Sequence, residues 1–215
     1  MEKTTLISIV TPAFNRGFCL QRCLNSVKNL VLPDGFDFEH IVIDDGSTDN
    51  TEDVIEANSH DKLLYAKLTH NQGVNVARNQ GMEMAKGDYV LFLDSDDILI
   101  SHALVEIKKA LELTNYHYKI YKFLTANART GVVMGRVSPP YVNVSYRDRL
   151  AGRIISGEVI VMLSKEVYEN NKFPEDFLCF EAVFWNLLSK KYESEVGVDQ
   201  VIRLYHDDHQ SPTQK

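Results

Sequence analysis

The stretch YVLFLDSDDIL, residues 89–99, joins an apolar run directly to a cluster of acids. Residues 90–93 have the composition of a buried strand, and Asp94, Asp96 and Asp97 follow within four positions. Carboxylates this close repel one another unless a cation or several hydrogen-bond donors compensate their charge. Mg²⁺ and Mn²⁺ bind oxygen ligands, usually one or two carboxylates together with substrate phosphates. The stretch therefore predicts a divalent metal site for a nucleotide or another phosphorylated ligand.

Strand-like and helix-like segments alternate on both sides of this stretch. A helical pattern follows each predicted strand, and the four strands cover residues 6–11, 38–45, 63–68 and 88–94. This alternation is typical of a parallel α/β sheet, in which ligands bind beyond the carboxyl ends of the strands. Three polar clusters, TPAFNR, DDGSTD and DSDD, fall at such ends. The sequence therefore predicts that they form one site.

The second half of the chain is less regular. It predicts a loop or small hairpin over 131–152, and helical spacing over FEAVFWNLLSKK with Phe180, Val183, Phe184 and Leu187 on one face. Further strands are expected at 118–126, at 153–163 with a break at Gly157, and at 196–206. We expect one domain, with a nucleotide-binding half at 1–100, an acceptor-side half at 101–215, and a loose tail at 207–215.

Composition limits the classes of function. The chain has 215 residues and a net charge of -7, which argues against a nucleic-acid partner. The N-terminus lacks the pattern of a signal peptide, and no apolar run is long enough to span a membrane. The odd count of cysteines, at 19, 23 and 179, favours packed, reduced thiols over disulfides or a metal site. We therefore expect a cytoplasmic protein.

The other two clusters contain candidate ligand-binding groups. Asp44 and Asp45 end an apolar run before Gly46, so either carboxylate could accept a hydrogen bond from a base N–H or a ribose hydroxyl. Thr48 and Asp49 have the residue types that cap the following helix.

Three further residues allow both a structural and a functional interpretation. Asn15 and Arg16 could be helix-start residues or could contact a ligand. Arg78, in the middle of a predicted helix, could lie at the surface or pair with a carboxylate or phosphate.

Taken together, SIVTPAFN, VIDDGSTD, GVNVARNQG and YVLFLDSDD resemble the successive motifs of family 2 glycosyltransferases of the bacterial surface-glycan type. Both the order and the spacing fit over residues 5–100, and the resemblance is thinner over 150–190. It implies an α/β, Rossmann-like GT-A fold with a central, mostly parallel, twisted sheet flanked by helices. It also implies an inverting transfer from a UDP-sugar to a hydroxyl of a glycan or lipid-linked acceptor.

The resemblance also implies roles for individual residues. Asp45 would face the base with Asp44 nearby, Asp94 would lie against the ribose, and Asp96 would coordinate Mn²⁺ or Mg²⁺ on the diphosphate. The remaining donor-site residues are expected to be Pro12, Ala13, Asn15, Arg16, Gly73, Arg78 and Ser95. Acceptors of this kind imply peripheral association with a membrane, at its cytoplasmic face.

The expected catalytic base is missing from its usual position. The family motif is Glu-Asp, with the Asp as base, and this chain has Glu181 and Ala182. The helical stripe predicts that both residues emerge at the edge of the cleft. Three explanations are open: the alignment slips by one residue and Glu181 is the base, an inactivating substitution has occurred, or the chain is a natural binder without catalysis. We expect the second.

Two functions from other classes remain as alternatives. A non-catalytic protein could bind the nucleotide-sugar without turnover. FLDSDDIL also resembles the motif of haloacid-dehalogenase-type phosphatases, in which Asp94 would be the nucleophile and Asp96 the acid/base. Those enzymes carry the motif on their first strand, whereas three predicted strands precede it here. The sequence does not identify the donated sugar, the acceptor or the oligomeric state.

Overall fold

The structure is a computed structural model that describes residues 4–138, 142–143, 145–147, 151, 155–176 and 181–206. Its strands are β1 (Thr5–Ala13), β2 (Phe36–Asp44), β3 (Leu63–Lys67), β4 (Tyr89–Phe92), β5 (Ile98–Leu99), β6 (Ile120–Asn127), β7 (Gly135–Val137), β8 (Val142–Asn143), β9 (Ile155–Gly157), β10 (Val159–Ser164) and β11 (Glu195–Tyr205). Its helices are α1 (Leu20–Lys28), α2 (Thr51–Ala57), α3 (Val74–Met84), α4 (Ala103–Leu113), α5 (Lys165–Glu169) and α6 (Glu181–Tyr192).

One large sheet organises the described part of the chain. Its strands lie in the order β3-β2-β1-β4-β10-β6-β11-β5, and β8 also pairs with β11. The strands from β3 to β4 are parallel. Beyond β4 the sheet is mixed, because β10 is antiparallel to both of its neighbours while β6 and β11 are parallel. The sheet is thus parallel from β3 to β4 and mixed beyond β4.

Helices cover both faces of the sheet because the strand side chains alternate between them. Leu91 packs with α1 and α4 in one core, and Val90 and Phe92 pack with α3, α5 and α6 in the other. The first core includes the α1 stripe predicted from the sequence, whose members are all buried: Leu20, Cys23, Leu24 and Val27. Cys19 and Cys23 are buried thiols, and Cys179 lies outside the described residues.

Several sequence expectations need correction. The predicted break at Gly157 is confirmed, but the two parts of the strand lie in different sheets, because β9 pairs with β7 in a small separate hairpin-like sheet while β10 lies in the large one. Helix α3 ends at Met84, before Gly87. Gly87 instead lies against Ser8, where a Cβ would come within 2.6 Å of the hydroxyl oxygen. The sequence did not predict β5 or α5.

Two remaining observations concern the tail and membranes. The predicted loose tail, 207–215, lies outside the described residues. Within the part of the chain that is described, every helix is too short or too polar to cross a membrane.

Candidate functional site

The carboxyl ends of β1, β2 and β4 meet at one edge of the sheet. Ala13 at the end of β1 is in register with Asp44 at the end of β2. On the other side of β1, Val10 is in register with Phe92, and the N–H of Leu93 donates to the carbonyl of Val10 (2.9 Å). The three polar clusters therefore lie side by side, as the sequence predicted.

The turn after β1 is bound to the turn after β2 through Asn15. Pro12 and Ala13 are buried at the end of the strand, and Asn15 follows in the left-handed region, with a φ of 52°. Its backbone N–H donates to the Ser47 hydroxyl (2.8 Å), and its side-chain oxygen accepts from the N–H of Thr48 (2.9 Å). Asn15 thus fixes the relative position of the two turns through both its backbone and its side chain.

Arg16 and Gly17 extend this connection to the start of α2. The N–H of Arg16 donates to the Thr51 hydroxyl (2.8 Å), and the N–H of Gly17 donates to the Asp49 carboxylate (3.1 Å). Asp49 also accepts from the N–H of Thr51 (3.0 Å). The expectation that Thr48 or Asp49 occupies the N-cap of α2 is wrong, because Asn50 is in that position.

Asp44 is completely buried, and its partners are structural. One carboxylate oxygen accepts from the N–H of Ser47 (2.8 Å), and the other accepts from the Tyr65 hydroxyl (3.3 Å). The ammonium group of Lys67 lies 3.8 Å from the second oxygen. These contacts close the turn after β2 and anchor it to β3.

Asp45 holds the loop that leads into α3. Its two carboxylate oxygens accept from the N–H groups of Gln72 (2.7 Å) and Gly73 (2.8 Å). Burial raises the pKa of Asp45 above its usual value, against the lowering effect of these two donors. Gly46 allows the close approach, because a Cβ there would lie 2.5 Å from the carbonyl carbon of His70. The assignment of Asp45 to the base stays a prediction.

Arginines compensate the acidic cluster after β4. The guanidinium of Arg78, on α3, donates to Asp94 (2.9 Å), and Arg203, on β11, lies 3.7 Å from the other Asp94 oxygen. Burial would raise the pKa of Asp94, but the charges of Arg78 and Arg203 outweigh it and lower that pKa. Of the two interpretations of Arg78, pairing with a carboxylate is therefore the one observed, since Arg78 is 5% exposed.

Asp96 and Asp97 differ from Asp94 in exposure and partners. The Asp96 carboxylate lies 3.7 Å from the guanidinium of Arg16, and its side chain is 18% exposed. Asp97 is buried, accepts from the N–H of His206 (3.2 Å) and lies 3.4 Å from Arg203. Asp97 does not cap α4, because that helix begins at Ala103 after His102. Ser95, between the acids, is buried.

Glu181 and Ala182, the first residues of α6, have different environments. Glu181 forms an ion pair with Arg78 and shares a helix face with Phe184 and Leu188, which are buried. Ala182 is exposed. The Glu181 side chain is 37% exposed, so both residues are accessible to solvent, and their position at the edge of the cleft stays a prediction.

The observed register of α6 explains the different environments of Glu181 and Ala182. Val183 and Leu187 are 43% and 58% exposed, so the expectation that they face inward is wrong. The buried residues are Phe184, Leu188 and Ser189. The helix is therefore rotated about its own axis relative to the prediction. Phe180 lies outside the described residues.

Two asparagines of α3 hold the segment that precedes α6. The side-chain amide of Asn79 donates to the carbonyl of Phe173 (3.0 Å) and accepts from the N–H of the same residue (2.8 Å). Asn75 donates to the carbonyl of Pro174 (2.9 Å). With Arg78 on Glu181, three residues of one α3 face connect the two halves of the site. Sequence reasoning missed both asparagines, although they are four residues apart and therefore share a helix face.

Arg203 was also missed, although the sequence carries a signal for it. It stands alone among apolar residues in VIRLY, and a charge inside a buried strand normally has a partner. Its partners could not be named because they come from other elements.

The site residues fit a metal ion that takes most of its ligands from a bound nucleotide and few from the protein. Among the residues described, no three His, Cys, Asp or Glu side chains are grouped to hold an ion. The Asp96 carboxylate is partly accessible and offers the hard oxygen donor that Mn²⁺ and Mg²⁺ prefer. A diphosphate could supply further oxygen ligands, so the donor set suits a cation that arrives with a nucleotide.

Known proteins resemble this chain over most of its length. A family model described as glycosyl transferase family 2 matches residues 8–177. A similar curated protein is the GalNAc(5)-diNAcBac-PP-undecaprenol beta-1,3-glucosyltransferase of Campylobacter jejuni, 30% identical over 203 residues. Another is TarP of Staphylococcus aureus, a poly(ribitol-phosphate) beta-N-acetylglucosaminyltransferase, 33% identical over 173 residues. The matches cover 93% and 77% of this chain, but only 64% and 51% of those proteins.

Solved structures give the same architecture. TarS 1-349 of S. aureus in complex with UDP-GlcNAc superposes with a TM-score of 0.79 and 21% identity, over 95% of this chain and 59% of that one. A mannosyltransferase of Pyrobaculum calidifontis in complex with GDP-Man and Mn²⁺ gives a TM-score of 0.66 at 17% identity, over 94% of this chain and 57% of that one. These similarities confirm the expected GT-A fold.

Proposed function

Since the chain belongs to glycosyl transferase family 2, we propose that it binds a UDP-sugar and carries the machinery for transfer to a hydroxyl of a glycan or lipid-linked acceptor. The observation that carries this proposal is the junction of three strand ends. There, the turns after β1 and β2 are bound together, and Asp94 and Asp96 lie beside them. The family assignment leaves no ground for the phosphohydrolase alternative.

The donor side is assigned to the first half of the chain, residues 1–100. Pro12, Ala13 and Asn15 line the nucleoside pocket, Asp45 accepts from the base, and Asp94 faces the ribose. The partial exposure of Asp94, at 43% of its side chain, supports a role in contact with a ligand. Asp96 is the residue that would hold a divalent cation. When bound, such a cation supplies positive charge that stabilises the departing diphosphate.

The acceptor side is assigned to residues 101–215, and the missing base belongs to it. An inverting displacement needs a carboxylate that takes the proton from the attacking hydroxyl. Glu181 is already paired with Arg78, whereas Ala182 faces solvent, where an acceptor could approach. We assign position 182 to the base and Glu181 to the support of Arg78. With a methyl group at position 182, the chain binds its donor and transfers sugar slowly or not at all.

Metal-dependent binding of UDP tests the donor side. In isothermal titration, wild type binds UDP in Mn²⁺ and loses most of that affinity in EDTA. Asp96→Ala abolishes the Mn²⁺-dependent part because the protein's metal ligand is gone. Asp53→Ala, an exposed position on α2, is the control and binds as wild type does. Equal affinity of wild type in Mn²⁺ and in EDTA would refute metal dependence.

A gain-of-function variant tests the assignment of the base. Ala182→Asp raises the rate of sugar transfer, or of UDP release with water as acceptor, by about 10²–10⁴-fold. The affinity for UDP stays unchanged. Ala182→Asn has a similar shape but cannot take the proton, so it stays slow. If wild type turns over rapidly and Glu181→Gln abolishes turnover, Glu181 is the base instead.

A non-catalytic binder is the second candidate, and the exposed methyl group of Ala182 is the observation that favours it. UDP binding without turnover, in wild type and in Ala182→Asp alike, would support it.

We also propose peripheral association with the cytoplasmic face of a membrane, because the C. jejuni relative is named for a PP-undecaprenol acceptor. Recovery of all activity in the soluble fraction on a water-soluble acceptor would contradict this.

A further inference from the structure

Arg203 is a buried arginine that lies beyond the part of the chain matched by the family model, which ends at residue 177. It stands near the end of β11 and is 5% exposed. Its Nε donates to the hydroxyl of Thr125 on the neighbouring strand β6 (2.9 Å). This hydrogen bond restrains the orientation of the guanidinium and leaves its other two nitrogens for other partners.

Those two nitrogens face three carboxylates. Nη1 lies 3.4 Å from Asp97 and 3.7 Å from Asp94, and Nη2 lies 3.4 Å from Glu158. The contacts to Asp97 and Asp94 are longer than a good charge-assisted hydrogen bond, so Arg203 acts on these two mainly through its charge. Arg203 and Arg78 together approach both oxygens of Asp94.

Lys122 is a second buried cation in the same sheet, and it forms a structural ion pair. Lys122, on β6, pairs with the buried Glu195, whose second oxygen accepts from the Ser189 hydroxyl (2.5 Å). Lys122 pairs with this carboxylate at direct contact. Arg203, by contrast, is shared among carboxylates that include Asp94, which is 43% exposed and open to a ligand.

We propose that Arg203 is a positioning residue that acts as the built-in counter-cation of the acidic cluster after β4. It compensates Asp94 and Asp97 when no divalent cation is present, and it therefore weakens binding of a metal ion by itself. A diphosphate adds negative charge that offsets the charge of Arg203, so the metal ion and the nucleotide bind together. The inference deepens the proposed function, on which the coupling to nucleotide rests.

Binding of Mn²⁺ alone, without nucleotide, tests the charge role directly. Arg203→Met removes the positive charge but keeps much of the side-chain volume, so the dissociation constant for Mn²⁺ falls by about tenfold or more. Mn²⁺ correspondingly raises the unfolding temperature of Arg203→Met more than that of wild type. Isothermal titration and thermal unfolding in Mn²⁺ and in EDTA measure both effects.

Lys122→Met is the matched control, because it also removes a buried cation from the sheet but leaves the acidic cluster unchanged. It unfolds at a lower temperature than wild type, and Mn²⁺ gives no extra recovery. Arg203→Lys keeps the charge and so keeps the weak Mn²⁺ affinity of wild type. The double variant Asp97→Asn/Arg203→Met loses one charge of each sign and returns toward wild type.

The outcomes separate the inference from the proposed function. Equal Mn²⁺ responses of Arg203→Met and Lys122→Met overturn the inference, because proton uptake would then compensate the cluster. An Arg203→Met protein that folds neither in EDTA nor in Mn²⁺ overturns it as well. If wild type shows no metal-dependent UDP binding but Arg203→Met still gains Mn²⁺ affinity, the proposed function fails and the charge role stands.

Discussion

The acids after β2 and the acids after β4 carry similar charge at neighbouring strand ends, but they are compensated by different groups. Asp45 accepts from two backbone N–H groups of the loop before α3. Asp44 accepts from a backbone N–H of its own turn and from the Tyr65 hydroxyl, with the ammonium of Lys67 3.8 Å away. Asp94 and Asp97 are compensated by the guanidinium groups of Arg78 and Arg203, which come from α3 and β11.

This difference separates a fixed region from an exchangeable one. Backbone donors are held by the chain around them and cannot be replaced by an ion. Side-chain cations act over longer distances and can be supplemented or displaced by a metal or a ligand. The end of β2 is therefore suited to hold a rigid part of a ligand, and the end of β4 is suited to charge that arrives and departs.

The largest expected effect concerns pH and Asp97. Burial raises the pKa of Asp97 to about 7 against the charge of Arg203, with Asp94 and Asp96 adding to the rise. Because the folded state retains this proton at a pH where the unfolded state has lost it, Asp97 lowers the stability of wild type as pH rises from about 4 to about 7. The free energy of unfolding of wild type, relative to Asp97→Asn, falls by about 3–5 kcal/mol over that range.

Urea unfolding of both proteins at several pH values measures this difference. Below about pH 4, where Asp97 is protonated in both states, the penalty is absent. A difference that does not change with pH would mean that the acids after β4 are as fully compensated as those after β2.

A smaller effect is expected at the end of β2. Asp45→Ala removes the buried carboxylate that accepts from the N–H groups of Gln72 and Gly73, which costs about 1–3 kcal/mol of stability and a similar amount of UDP binding. Mn²⁺ does not restore the stability, because a cation cannot accept from an N–H group. Asp53→Ala is the control. If Asp45→Ala binds UDP as tightly as wild type, the assignment of Asp45 to the base is wrong.

The smallest effect is expected for the contact between Arg16 and Asp96. The two side chains are 14% and 18% exposed, and their charges lie 3.7 Å apart. Arg16→Gln therefore lowers the free energy of unfolding by about 0–1 kcal/mol. High salt should reduce this cost by screening the pair, whereas it should leave the cost of Asp45→Ala unchanged. A loss that persists in concentrated KCl would place Arg16 with the fixed contacts.

Much of the fold could be predicted because it depends on local patterns. The alternation of strands and helices in the first half, and the burial of the α1 stripe, follow from residue spacing within single elements. The short strand β5 was missed because two residues carry no periodicity. The register of α6 was missed because both Val183 and Phe184 are apolar, and only packing decides which one is buried.

The sequence by itself determined the class of fold, the family motifs and the meeting of three polar clusters at one sheet edge. The succession of strands and helices along the chain, and the point where each strand ends, are encoded locally. Only the tertiary structure decided which groups compensate each acid. Arg203, Arg78 and the N–H groups of Gln72 and Gly73 reach their carboxylates from other elements. Spacing along the chain carries no information about these contacts, because they depend on how the sheet aligns its strands and on which face each helix buries.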